Sequence, residues 1–448
     1  MTGRVHDEPL TLAAYAILTE PGDQARNYHA ALGLFEHAER LGIEGLWVRQ
    51  FHLRAAGPEP GGGLPSPFVF LAWLASRTRR LRLGTAAVTL PLESPLRVAE
   101  DAAVLDALSG GRAELGVANG GSAPGLAELF RGSAADGADG NGAAGGDPDA
   151  RRAAYQADLD RLAGALDGAA VNQAGARLNP PSPGLAARIW EATLTERSGY
   201  DTGRRGHGVL IGTTQAVPAE VTARAYLRGL DEYNGGAASR PPRLGLATLI
   251  YPARDRETAL REARAGIEEK YAWGRAFLPP ATTVAEKAAS ICLHYGTAEQ
   301  ITESIAGQPW YRYATQLMVQ TELCYASYEQ RAEALELFTR DVAPALGWAG
   351  PVRAGGRSSL PLAPEPQGVN AKRSPGHLHG RKRALDAIDR HAARAARRGH
   401  PATPATRPPG HPEPQPPGHP HRPHFMRMRM RLRPRPRPRP RPESAGWK

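Results

Sequence analysis

Residues 81–118, LRLGTAAVTLPLESPLRVAEDAAVLDALSGGRAELGVA, decide the fold. Two short apolar runs, 81–90 and 113–118, flank a helical pattern in which Leu96, Ala99, Ala103, Leu105 and Leu108 recur on one face. Strand, helix and strand within about 40 residues is the size of a βαβ unit. Pro91 and Pro95 punctuate the exit from the first strand, and Gly110-Gly111 ends the helix. The apolar runs do not alternate with polar residues, which suits parallel strands buried on both faces.

The same rhythm extends in both directions. Upstream, residues 10–18 and 45–48 read as strands, and 28–41 and 68–76 as helices. Downstream, the spacing predicts strands over 188–194, 208–213, 243–251 and 316–319. Helices are expected over 153–166, 217–232, 255–270, within 275–293, over 295–305 with Thr297 and Gln300 as a capping pair, and over 327–342. Eight strand–helix alternations predict a closed TIM (β/α)8 barrel. No GxGxxG follows the first strand, which counts against a dinucleotide-binding doubly wound sheet.

The net charge of +11 is unevenly distributed. Residues 351–448 hold 22 Lys+Arg and 5 Asp+Glu, so residues 1–350 are mildly acidic. Domain organisation follows: a barrel over 1–350, interrupted by a flexible low-complexity loop at 131–150, and a disordered Pro/Arg/His-rich tail at 351–448. The tail has three Gly-His-Pro triplets and an Arg-Pro run over 433–442. Its composition also matches what GC-rich codons give in many reading frames, so a frameshifted or read-through end stands beside a solvated linker. The run would attract polyanions electrostatically, yet no aromatic interleaving accompanies it, so a nucleic-acid partner is not expected. No apolar run approaches membrane-spanning length, and the N-terminus carries no export pattern. Cys292 and Cys324 have no metal or redox spacing and read as small buried hydrophobes. The expectation is a cytoplasmic protein without a metal centre.

The segment GTAAVTLPLESPLRVAEDAAVLDALSGGR resembles the third strand and following helix of the luciferase-like flavin-dependent monooxygenase family, matching at 84–90, Pro95, Glu100-Asp101, Leu105-Asp106 and 109–112. The segment WVRQFHL resembles that family's Trp, two residues, an acid and one or two histidines. Gln50 and Phe51 replace the acid and first histidine, and His52 matches the second. TERSGYDTGRRGH resembles a family loop in which Ser follows Glu. Here Ser198 matches the Ser, Arg197 replaces the Glu, and Gly206-His207-Gly208 replaces Gly-Asp-Gly.

The resemblance implies reduced FMN held at the C-terminal ends of the strands, O2 as co-substrate, a small organic substrate, a separate flavin reductase and a homodimer. Ala86 and Ala87 would lie against the flavin ring, often across a non-proline cis peptide in this family; two alanines equally suit a tight barrel interior. Asn119 and Gly120 would approach the ring or ribityl chain, or simply form a turn. Thr195, Arg197 and Ser198 would hold the phosphate at a short helix start, where Ser and Thr also serve as N-caps. His52 would act as general acid or base, and Gln50 would orient flavin or substrate; a lone His at a strand end also serves structure. His207 reads as a loop residue near the phosphate. The alternatives are a deazaflavin-dependent hydride-transfer enzyme on the same fold, a non-catalytic flavin-binding barrel, and a polyanion-binding protein acting through its tail.

Overall fold

A computed structural model describes residues 4–18, 22–53, 63–120, 130, 148–212, 217–236, 239–275, 278–323 and 327–350. The tail at 351–448, loop residues 131–147 and Cys324 lie outside the described residues. Strands and helices alternate in the order β1 Thr11–Ala16, α1 Gln24–Arg40, β2 Gly45–Val48, α2 Pro67–Arg77, β3 Arg82–Thr85, β4 Val88–Thr89, α3 Pro95–Ser109 and β5 Ala113–Ala118. Then follow α4 Pro148–Leu166, β6 Ile189–Ala192, α5 Glu196–Arg204, β7 Gly208–Ile211, α6 Ala219–Asn234 and β8 Leu244–Pro252. The remainder is α7 Arg256–Glu262, α8 Arg264–Gly274, α9 Val284–Ser290, β9 Leu293–Gly296, α10 Ala298–Ala306, β10 Gln316–Gln320 and α11 Tyr328–Leu337.

All strand pairings are parallel, and β10 pairs with both β1 and β8, so β1, β2, β3, β5, β6, β7, β8 and β10 close a ring of eight. The predicted TIM (β/α)8 barrel is the observed fold. Closure removes every sheet edge from the ring. β8 overshoots it: Leu249 to Pro252 pair with β9, a strand the sequence pattern does not show because its four residues sit between two capped helices. The expected capping box of Thr297 and Gln300 is present. The single helix expected over 255–270 is two, α7 and α8, divided at Ala263. Among the described residues no helix is long and apolar enough to cross a membrane.

Two tryptophans fill the barrel's middle. Trp47 and Trp190 meet edge to face, 5.3 Å between ring centroids, beside Ala13, Ala86, Leu210 and Met318. Space for them comes from Gly84 and Gly208, where a Cβ would fall 2.2 Å and 2.3 Å from the respective indole rings. Below them the N-terminal end is sealed by polar contacts. Arg82 pairs with Glu114, Trp190 Nε1 donates to Glu114 Oε2 (2.8 Å), Trp47 Nε1 donates to Gln316 Oε1 (2.6 Å), and the Arg243 guanidinium lies over Trp190.

The family-like motif residues Asp106 and Arg112 do structural work outside the barrel. The Arg112 guanidinium donates to the carbonyls of Ser109, Leu81, Ala75 and Thr78 and to Thr78 Oγ1, satisfying all five of its N–H groups. Asp106 accepts from Arg188, Ser182 Oγ and Ala113 N. Burial pushes the Asp106 carboxyl up, but these donors outweigh it and hold it below the usual carboxylate value.

β3 and β5 are joined unusually. Gly84 faces Glu114 and Val88 faces Val117, so four steps along β3–β4 match three along β5, which is a bulge. Thr85 fills the gap, its Oγ1 donating to Gly116 O (2.8 Å) and accepting from Gly116 N (3.0 Å). A Cβ at Gly116 would sit 2.0 Å from the Thr85 carbonyl oxygen. Gly116→Ala is therefore expected to lower stability by roughly 3 kcal/mol or more, read as a fall in the urea midpoint at unchanged m-value. A change below about 0.5 kcal/mol would refute this account.

Candidate functional site

Period-two alternation carries the inward set to the C-terminal mouth. Ala86 and Ala192 belong to the inner cluster, and Ala118, Gly212 and Ala247 lie two residues beyond the inward Gly116, Leu210 and Gly245. Five neighbouring strands thus carry small side chains at this level, and β8 alone continues past it through Leu249 and Tyr251. Among the described residues a Cβ at Gly212 would meet nothing within 4 Å. On the other half, Tyr15, Arg49 and Gln320 continue the inward sets of β1, β2 and β10 with long polar side chains. The mouth has a low, small-residue shelf on one side and a polar wall on the other.

Ala86 and Ala87 form part of that shelf and are buried, and the peptide bond between them is cis, as the family resemblance suggests. Gln50 does not face the mouth. Its Oε1 accepts from Thr89 N (2.8 Å) and its Nε2 donates to Glu93 Oε1 (2.8 Å) and Pro65 O (3.3 Å), bracing β4 against β2. His52 Nε2 lies 3.5 Å from the same Glu93 oxygen, and its ring packs 4.4 Å from that of Phe130. The carboxylate missing from WVRQFHL is thus present in space, supplied by Glu93 from the loop before α3.

Asn119 is exposed, and Gly120 follows with φ +72°, packed by Thr89 and Pro91, so the pair makes a turn at the end of β5. At the end of β6, Thr195 is the N-cap of α5. Its hydroxyl accepts from Ser198 N (3.2 Å) and donates to Ser198 Oγ (2.9 Å). Ser198 is therefore the third helical residue and not the cap. Arg197 is exposed, 3.7 Å from Asp149 on α4. Ala86, Asn119 and Thr195 thus follow three adjacent strands, around the small-residue half of the rim.

His207 sits elsewhere. Glu191 points outward from β6, and its carboxylate, 4% exposed, accepts from Arg205 (2.9 and 2.7 Å) and Tyr155 Oη (3.2 Å) and bonds His207 Nδ1 (2.9 Å). This cluster locks α4, α5 and β7 together behind the shelf. A glutamate inside the apolar run IWEA was the signal in sequence; its partners lie 14 to 36 residues away, beyond any local pattern. Glu93 was legible only as a charge among prolines.

With the fold and mouth described, the relatives can be placed. A family model described as luciferase-like monooxygenase matches residues 10–343, and the chain belongs to that family. It is 47% identical over 89 residues to 4-hydroxyprotoasukamycin monooxygenase of Streptomyces nodosus subsp. asukaensis, covering 20% of this chain and 23% of the relative. It is 33% identical over 97 residues to the oxygenase component of flavin-dependent trigonelline monooxygenase of Acinetobacter baylyi, covering 22% and 26%. The matched segments thus span about a quarter of these curated relatives. Among solved structures, monooxygenase RslO1 from Streptomyces bottropensis superposes with a TM-score of 0.59 at 20% identity, over 75% of this chain and 99% of that one. The oxygenating constituent of 3,6-diketocamphane monooxygenase from Pseudomonas putida, in complex with FMN, gives 0.54 at 15%, over 75% and 98%. An F420-dependent secondary alcohol dehydrogenase gives 0.55 at 12%, over 75% and 98%. These structural likenesses show the fold.

The Glu191 cluster predicts a pH dependence. Burial alone would raise this carboxyl, but the His207 hydrogen bond and Arg205 win and hold it at about 2. A depressed carboxyl stabilises the fold above its unfolded value, and that contribution is lost as pH falls from about 4.5 toward 2. Chemical unfolding between pH 6 and pH 3 should show a decline that is smaller by about 2 kcal/mol in Glu191→Gln, a variant already destabilised at pH 6.

Proposed function

We propose that the chain is a flavin-dependent monooxygenase that uses reduced FMN and O2 to oxidise a small organic substrate, with residues 1–350 as the functional barrel. The observation that carries this is the small-residue shelf over β3 to β8. A planar tricyclic ring needs a flat floor and side chains that do not rise into it, and Ala86, Ala87, Ala118, Ala192 and Gly212 meet that need. Asn119 and Gly120 border the floor toward the ribityl chain. Thr195, Arg197 and Ser198 stand where a phosphate would meet the N-terminus of α5, whose free N–H groups and positive end favour an anion. Bound FMN would supply the two-electron chemistry and the reaction with oxygen.

The protein's own residues bind, orient and exclude water. The sealed N-terminal end keeps solvent from entering beneath the shelf. Gln50 holds Glu93 and β4 in place, and Glu93 orients His52, which is positioned to move a proton at Nε2 or Nδ1 when substrate binds. A separate reductase supplies reduced FMN in this reading, in keeping with the trigonelline relative's description as an oxygenase component. Self-association is part of the same proposal, supported by Val69 and Trp73 on α2 and Val104 and Leu108 on the adjoining α3, which stay exposed. Leu108→Glu is then expected to shift the sedimentation coefficient from dimer to monomer, and a monomeric wild type would remove this part.

Anaerobic titration tests the cofactor. Full-length protein should bind reduced FMN more tightly than the reduced deazaflavin, and Ser198→Ala should weaken reduced FMN at least tenfold with unchanged melting temperature. Preference for the deazaflavin would favour hydride transfer without oxygen. Binding of neither would remove the flavin enzyme.

A further inference from the structure

Two cations at the barrel mouth have no hydrogen-bonding or ion-pairing partner for their charged groups among the described residues. Arg49, at the end of β2, has its guanidinium 4.3 Å from the Phe51 ring centroid and 5.2 Å from that of Trp273 on α8. Among the described residues the guanidinium makes no hydrogen bond and no ion pair. Lys270, one helical turn before Trp273 on α8, is half-buried and likewise has no hydrogen-bonding or ion-pairing partner. The carboxylate that acts on the Lys270 charge, Glu322, is already committed: Ile17 N and Leu18 N donate to it at 2.6 and 3.1 Å, and buried Arg331 lies 3.8 Å away. Tyr15, inward on β1 in the same electrostatic neighbourhood as Arg49 and Glu322, adds a hydroxyl that has no hydrogen-bond partner among the described residues.

Unpaired cations in a partly desolvated wall are unfavourable unless an anion joins them. Burial and the nearby Arg49 charge push the Lys270 amine down to about 8, against a partial opposing pull from Glu322. Lys287, also half-buried, shows a different pattern: it pairs with Glu268 at 2.6 Å. The Arg49 fork, flanked by two aromatic rings, keeps its N–H edge for a planar acceptor, and Lys270 adds a point charge.

We propose that Arg49 and Lys270 form an anion-recognition wall that selects a substrate bearing a carboxylate, held across the mouth from the small-residue shelf. The proposal rests on the flavin reading in assigning the shelf to the cofactor and the opposite wall to the substrate. Aromatic or aliphatic bulk would lie over the shelf, with its carboxylate on Arg49 and Lys270 and Tyr15 as a further donor.

The test compares each acid with its neutral isostere. Full-length protein is titrated calorimetrically with benzoate and benzamide, phenylacetate and phenylacetamide, and hexanoate and hexanamide. At least one acid should bind tenfold or more tightly than its amide. That preference should collapse in Lys270→Met or Arg49→Met and persist in Lys270→Arg. Reduced FMN is titrated into the same variants, and its affinity should be unchanged. The proposal is overturned if no acid is preferred, or if the preference survives in both Met variants. It is equally overturned if the Met variants lose FMN affinity, since the cations then serve the flavin phosphate. Loss of FMN binding in the wild type would refute the flavin reading instead, because the acid preference is read without cofactor.

Discussion

The contact between Thr85 and Gly116 is the constraint on which the mouth of this barrel depends. The Thr85 hydroxyl takes both backbone groups of Gly116, doing the work of a ladder pair that the bulge removes. Only hydrogen fits at residue 116, because the Thr85 carbonyl lies against it. That closeness lets β3 turn at Ala86-Ala87 and resume beside β5 as β4. The flat floor at the rim follows from it.

The barrel divides its inner space by side-chain size and polarity. Two tryptophans, admitted by Gly84 and Gly208, occupy the middle, and ion-paired and hydrogen-bonded groups close the lower end. In the upper layer, five strands carry Ala or Gly on their inward sets and three carry Tyr, Arg and Gln.

Charge is handled in two ways. Asp106, Arg112 and Glu191 are buried with their hydrogen-bonding capacity met, and they lock loops and helices to the outside of the ring. Arg49 and Lys270 are partly buried, and among the described residues their charged groups have no hydrogen-bonding or ion-pairing partner. Residues of the first kind include the motif positions by which the family resemblance is recognised, so the resemblance tracks architecture as much as chemistry.

The sequence by itself determined the barrel. Apolar runs without alternation demand strands covered on both faces, and eight of them at regular spacing have one closed parallel arrangement. The family resemblance singled out Ala86, Asn119 and Ser198, and these lie just beyond the C-terminal ends of β3, β5 and β6. The sequence could not show that Gln50 is a brace, that His52 meets Glu93, or that His207 turns to Glu191. Those pairings join residues 16 to 43 positions apart, and no local periodicity encodes which side chains converge across strands. β9 was hidden for the same reason, because its stability comes from the overshoot of β8 and not from its own four residues. The isolation of Arg49 and Lys270 was decided by tertiary structure alone: whether a charge is paired is a property of its neighbours in space.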